Sequence, residues 1–168
     1  MAVRAIHMDS TILVINVYVP TEKSEREGLF DFLSRDLVPY EGPVVLGGDF
    51  NCTQNPHIDR YYKAMSGRNE SPVLRRLLAR VQMSDVLEDE LQRIKDERSI
   101  SEFHSAAHIY FYTLPGGGTA SSQLDWWYVS SRNADWIRDV HQSVPGPAAD
   151  HNGVTIRLGY PSCTVRVR

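Results

Sequence analysis

Val44-Val45-Leu46-Gly47-Gly48-Asp49-Phe50-Asn51 is an apolar run that ends in two glycines, an acid and an amide. A short continuous apolar run reads as a strand buried on both faces, and Gly47-Gly48 would let the backbone turn sharply where it ends. Asp49 and Asn51 alternate about Phe50, so an extended strand end would project both from one face. A carboxylate and an amide side by side at such an edge can orient a water or a phosphate oxygen. The same residues also read as a strand running into an Asx-rich turn, and the flanking segments have to decide between the two.

Upstream, residues 11–19 (TILVINVYV) are rich in β-branched side chains and stop at Pro20, which predicts a strand. Residues 3–8 are expected to pair with it as a hairpin through Asp9-Ser10. Residues 24–38 place Leu29, Phe32, Leu33 and Leu37 near helical spacing, with Ser24 as cap, Glu27 completing a capping box and Pro39 closing the helix. Downstream, the polar stretch 52–69 reads as an irregular surface loop. A second helix follows from Ser71-Pro72 to Val81, with proline at its first position. The charged segment 85–98 carries a stripe of Val86, Leu87, Leu91 and Ile94 and is expected to form a short exposed helix. Strands are predicted at 109–114, 124–129 and 154–158, with a continuation at 163–167, and Pro115-Gly116-Gly117-Gly118 is a turn. There is no internal repeat and no linker, so a single layered α/β or α+β domain is expected over 1–168.

Composition narrows the function classes. The chain has 168 residues, 42% hydrophobic and 23% charged, within the range of globular domains. Its formal net charge of −3 gives no global attraction to nucleic acid, so a phosphate-bearing partner needs a local patch or a bound cation. Cys52 and Cys163 form no motif, and no apolar stretch approaches the roughly 18 residues that cross a bilayer. The expected setting is intracellular, nuclear or cytoplasmic, without membrane or secretion.

Three further clusters could carry chemistry. Asn16-Val17-Tyr18-Val19-Pro20 alternates an amide and a phenol near a strand end, although Tyr18 also suits an ordinary packing position. Ser122-Gln123-Leu124-Asp125-Trp126-Trp127-Tyr128-Val129 places an acid just inside a strand, and Asp125 needs a partner if it is buried. Ala149-Asp150-His151 sets an acid beside an imidazole just before a strand. Each lies at a predicted strand edge, where open sheets collect their sites. Phosphodiester hydrolysis needs a cation on hard oxygen ligands, an oriented water, a proton shuttle and a donor for developing charge, and these residues can supply that set. The His104/His108 pair lacks a third ligand, Gly116-Gly117-Gly118 lacks the lysine of a phosphate loop, and Arg75, Arg76 and Arg80 read as a solvated helix face.

Taken in order, N-x-Y-x-P, G-G-D-F-N, S-x-L-D followed by an aromatic and Tyr-Val-Ser, and D-H before a final strand resemble the endonuclease/exonuclease/phosphatase superfamily. That group includes apurinic/apyrimidinic endonucleases and the endonuclease domains of non-LTR retrotransposons. The resemblance covers essentially the whole chain and implies a four-layer α/β sandwich, two sheets face to face with helices outside. It implies that Asp49 orients or deprotonates the attacking water, with Asn51 contacting the scissile phosphate and Tyr18 hydrogen-bonding it. His151 would stabilise the phosphate or shuttle a proton, Asp125 would fix its tautomer, and Asp150 would help to hold Mg²⁺ or Mn²⁺. The implied activity is metal-dependent phosphodiester hydrolysis on DNA, of the retrotransposon endonuclease type. An inactive remnant and a same-fold enzyme acting on a phosphoinositide or sphingomyelin are the alternatives.

The chain also departs from the family pattern. The superfamily's domain opens with strands that deliver an Asn and a metal-binding Glu, and no such segment precedes Val3. The expectation is therefore the C-terminal portion of the domain, a truncated or decayed remnant whose uncovered half-sheet favours association, with no obligate protein partner evident. Gln123 stands where an Arg is usual and Ala149 where a Ser is common.

Overall fold

The computed structural model describes residues 1–7, 10–37, 40–55, 57–61, 70–114, 116–143 and 151–159. Strand β1 (Ala2–His7) pairs antiparallel with β2 (Ser10–Tyr18), as the hairpin reading expects. Helix α1 (Lys23–Leu37) then crosses over to β3 (Val44–Asp49), which lies parallel to β2. Ser24 is not the cap of α1. Glu22 is, because its carboxylate accepts from Glu25 N and from Ser24 Oγ, and those bonds hold its pKa below the usual range. Helix α2 (Pro72–Arg80) starts where expected, with Ser71 Oγ accepting from Leu74 N at 3.0 Å.

The segment predicted as one exposed helix divides in three. Residues Met83–Asp85 form the short strand β4, Glu88–Gln92 the one-turn helix α3, and Glu97–Ala107 a longer helix α4. The break falls at Asp96, whose carboxylate accepts from Ser99 N while Ser99 Oγ accepts from Asp96 N, a reciprocal cap that starts a new helix. Strand β5 (Tyr110–Thr113) pairs with β6 (Thr119–Ser122) across the glycine turn. Strand β7 (Asp125–Ser130) leads through a 3-10 turn at Ser131–Trp136 into β8 (Ile137–Ser143), which pairs with β9 (Gly153–Leu158). Strands β4, β6 and β8 and helix α4 escape the sequence reading. The predicted strand at 163–167 lies outside the described residues.

The main sheet has the order β1-β2-β3-β7-β4, with β3 central. Its alternation separates two cores. Ile15, Leu46, Trp126 and Tyr128 face α1 and α2, burying Phe30, Leu33, Leu74 and Leu77. Ile12, Val45 and Val129 face the other way and meet Val140, Ile156 and Leu158 of the β8–β9 hairpin. A bridge between Tyr110 and His151 joins that hairpin to β5. Helix α4 is tied to β8 by Gln142, whose Nε2 donates to His108 O at 3.2 Å. Helices, sheet, second β layer and α4 thus follow the α/β/β/α arrangement implied by the motifs.

The two glycines of β3 do not end the strand; they lie inside it. A Cβ on Gly47 would sit 2.2 Å from Trp127 Cε3, so the indole occupies the space that any other residue would fill. Gly48 has φ +128 and would place a Cβ 2.0 Å from Val17 O. Trp127 then reaches the second layer, donating from Nε1 to Val154 O at 3.0 Å. Gly47→Ala should cost about 1–3 kcal/mol in urea unfolding, and Trp127→Ala in the same chain should recover part of that loss. An additive double variant would show that the two residues do not compete for one space.

Candidate active site

The register of three adjacent strands builds the site. Tyr18 of β2 pairs with Asp49 of β3, and Asp49 pairs with Asp125 of β7. In-register residues share a face, and alternation from Val14 and Val45 puts this row on the side that faces the second β layer. Asp49, Asp125 and Tyr18 therefore meet at one end of the sheet. Tyr18 is 79% exposed, so its hydroxyl is open to a ligand rather than packed in the core.

His151 arrives from the second layer. Its backbone bridges Tyr110, Asn152 N donates to Ile109 O at 2.9 Å, and its ring lies against that of Tyr110 with centroids 4.8 Å apart. His151 Nδ1 is 2.8 Å from Asp125 Oδ2. A carboxylate can only accept, so the neutral imidazole carries its proton on Nδ1 and leaves Nε2 as a base or ligand. One ligand atom from each of Asp49, Asp125 and His151 falls within 4.8 Å of the others, a group that could hold a metal ion. Two carboxylates and an imidazole are a donor set of the kind that holds a divalent cation. Asp150, the expected metal residue, lies outside the described residues.

Asn51 is placed differently from the sequence expectation. Its φ is +47, so the chain has left the extended conformation and Asn51 does not project beside Asp49 as a strand neighbour. Instead its N–H donates to Asp49 Oδ1 at 2.8 Å in an Asx turn, and its Nδ2 donates to Val19 O at 2.7 Å. The turn reading of the opening stretch is the one that holds, and the turn fixes the direction of the Asp49 carboxylate. Tyr110 is the neighbour that the sequence did not reveal, because an aromatic at the start of a strand has the signature of ordinary packing.

Behind the sheet, a cavity of about 380 Å³ is lined by Gln54, Asp59, Asp85, Trp126 and Tyr128. Asp59 is 1% exposed, its Oδ2 accepts from Gln54 N and Asn55 N, and burial pushes its pKa up to about 7. His108, at the end of α4, is buried between Ser121 Oγ and Ile58 O, and burial lowers its pKa to about 4. It is a satisfied core histidine, which answers the spacing of His104 and His108.

No protein-family model matches the chain, and no curated protein sequence matches it. Solved structures do. An AP endonuclease from Archaeoglobus fulgidus superposes with a TM-score of 0.60 at 17% identity, covering 94% of this chain and 64% of that one. The endonuclease domain of TRAS1, a telomere-specific non-LTR retrotransposon, gives 0.56 at 14%, covering 94% and 62%. The 3'-5' exonuclease NExo from Neisseria meningitidis gives 0.59 at 16%, covering 95% and 65%. At these identities the likeness is one of fold, and the fold is that of the endonuclease/exonuclease/phosphatase superfamily. The chain spans less than two thirds of the length of each of these structures. No helix among the described residues is long and apolar enough to cross a membrane.

A raised carboxyl pKa has a definite sign. Folded Asp59 keeps its proton up to about pH 7, whereas the unfolded group loses it near 3.8, so its contribution is complete below pH 4 and lost as pH rises through 7. His108 acts oppositely, losing its contribution as pH falls from 6.5 towards 4. Comparing Asp59→Asn with the parent isolates the first effect. The parent should lose on the order of 1–3 kcal/mol more than the variant between pH 4.5 and 7.5 in denaturant titrations, and parallel pH profiles would refute the assignment.

Proposed function

We infer that this chain carries the phosphate-handling part of a metal-dependent phosphodiesterase domain whose substrate is DNA. The observation that carries the reading is the row Tyr18–Asp49–Asp125, closed by the 2.8 Å contact between Asp125 and His151. The fold supports it, being shared with two endonucleases and with NExo from Neisseria, a 3'-5' exonuclease and 3' phosphatase, a substituted form of which is bound to a product DNA hairpin. The whole chain, 1–168, is read as one domain of this type, corresponding to its C-terminal portion.

The roles follow from the groups. Asp49, whose Oδ1 accepts from Asn51 N, is the carboxylate that would accept a proton from a water at the end of the sheet. His151, with Nδ1 held towards Asp125, presents Nε2 to the phosphate, where it can donate a hydrogen bond once protonated or pass that proton to a leaving oxygen. Tyr18 supplies an exposed hydroxyl donor beside Asp49. Asn51 holds the Asx turn and with it the direction of the Asp49 carboxylate; a contact of its own with the phosphate is part of the same proposal. A divalent cation held by Asp49 and Asp125, with Asp150 as a further ligand, would neutralise phosphate charge and lower the pKa of a bound water; Mg²⁺ or Mn²⁺ is the proposed ion.

A second reading is favoured by the donor set. Among the described residues only two carboxylates and one imidazole meet, so a domain that binds a metal or phosphate without turnover has the same geometry. Incubation of supercoiled plasmid with the protein and Mg²⁺ separates them. The expected result is nicking that falls at least about 10²-fold in Asp49→Ala and His151→Ala and stops with chelator. Intact plasmid at all metal concentrations, or nicking indifferent to both substitutions, would rule the enzyme out.

A further inference from the structure

Arg26 is the most deeply buried cation among the described residues, 2% exposed in the first turns of α1, and the chemistry above does not use it. Among the described residues its guanidinium forms no ion pair with a carboxylate. Its Nη1 donates to Thr21 O at 3.0 Å and to Asn51 O at 3.2 Å, and its Nε has no hydrogen-bond partner. Those carbonyls belong to different segments. Thr21 lies three residues beyond Tyr18, and Asn51 two beyond Asp49.

The same segments are already knitted together. Val19 N donates to Asp49 O at 2.9 Å, Asn51 Nδ2 donates to Val19 O at 2.7 Å, and Asn51 N donates to Asp49 Oδ1. Arg26 closes this circuit from beneath, anchored through its own N–H to Glu22 O at 3.0 Å. Burying a guanidinium against carbonyls alone has a large desolvation cost, and an apolar side chain of similar volume would commonly be no less stable there. Stability is therefore a poor reason for an arginine at this position. Geometry is a better one, because one planar group reaches two loops at once.

We propose that Arg26 is a positioning residue of the candidate site, whose buried guanidinium holds the segments following Tyr18 and Asp49 in a single relative placement. The consequence for turnover rests on the phosphodiesterase reading; the consequence for loop order does not. A placement error of about 1 Å can lower a rate by on the order of 10²-fold, so the strut sets how well Asp49 and Tyr18 address one phosphate.

The test uses the full chain with Arg26→Met and Arg26→Lys. In Arg26→Met the urea midpoint should stay at or above that of the parent, while amide exchange at Val19 and Asn51 accelerates at least tenfold. Plasmid nicking should lose about 10- to 100-fold in kcat with KM within twofold, and Arg26→Lys, which keeps a cationic donor, should recover part of both effects. Unchanged exchange at Val19 and Asn51 in a folded Arg26→Met protein would overturn the proposal. So would a rate loss that merely tracks the unfolded fraction. If the parent chain nicks no DNA, the functional reading fails by itself and the exchange measurement alone decides the strut.

Discussion

Asp49 and Asp125 stand directly opposite one another on antiparallel strands. Like charges in that position repel, and a sheet built only for stability would avoid them. Everything around the site can be read as a response to that placement. Asp125 is compensated by His151 across the gap between the two β layers, and Asp49 by the N–H of Asn51. What charge remains is what a divalent cation is suited to neutralise. The repulsion is local, at the last pair of the ladder, while the inward pairs Val45 with Val129 and Leu46 with Tyr128 hold the strands together.

Bringing His151 to Asp125 requires the second β layer to sit close to the first, and that spacing depends on Trp127. The indole lies over Gly47 and bonds Val154 O, so the glycine in β3 is the gap through which one layer grips the other. Packing and chemistry are therefore coupled along a single face. Val45, Gly47 and Asp49 pass in two alternate steps from core, to interlayer contact, to site. Left-handed or glycine-only backbone at Gly48 and Asn51 flanks Asp49 on both sides. Such conformations gather where surrounding structure over-determines a functional side chain.

Much of this is legible in the sequence. The apolar run of β3, the β-branched run of β2 and the Ser71-Pro72 start of α2 are local signals, and each appears within a residue or two of its expected place. The single helix expected between 85 and 98 does not form: of its apolar stripe only Leu91 lies in the one-turn helix, Val86, Leu87 and Ile94 lie outside regular elements, and the Asp96 cap starts a new helix. Strands β6 and β8 carry serine, histidine and charged residues, and only their partners make them strands. Asn51 was misjudged for a similar reason: its conformation follows from Val19 O and Arg26, 32 and 25 residues away in the chain.

The sequence by itself determined which chemical groups stand at strand edges: a phenol, two carboxylates and an imidazole, in an order that resembles one superfamily. It could do so because strand periodicity and turn residues act over a few neighbours. Only the tertiary structure decided that Tyr18, Asp49 and Asp125 form one row, that His151 enters from another layer, and that a buried arginine braces the loops behind them. Those facts depend on strand register and on layer spacing, which are set by contacts among residues far apart in the chain, and no local pattern encodes them.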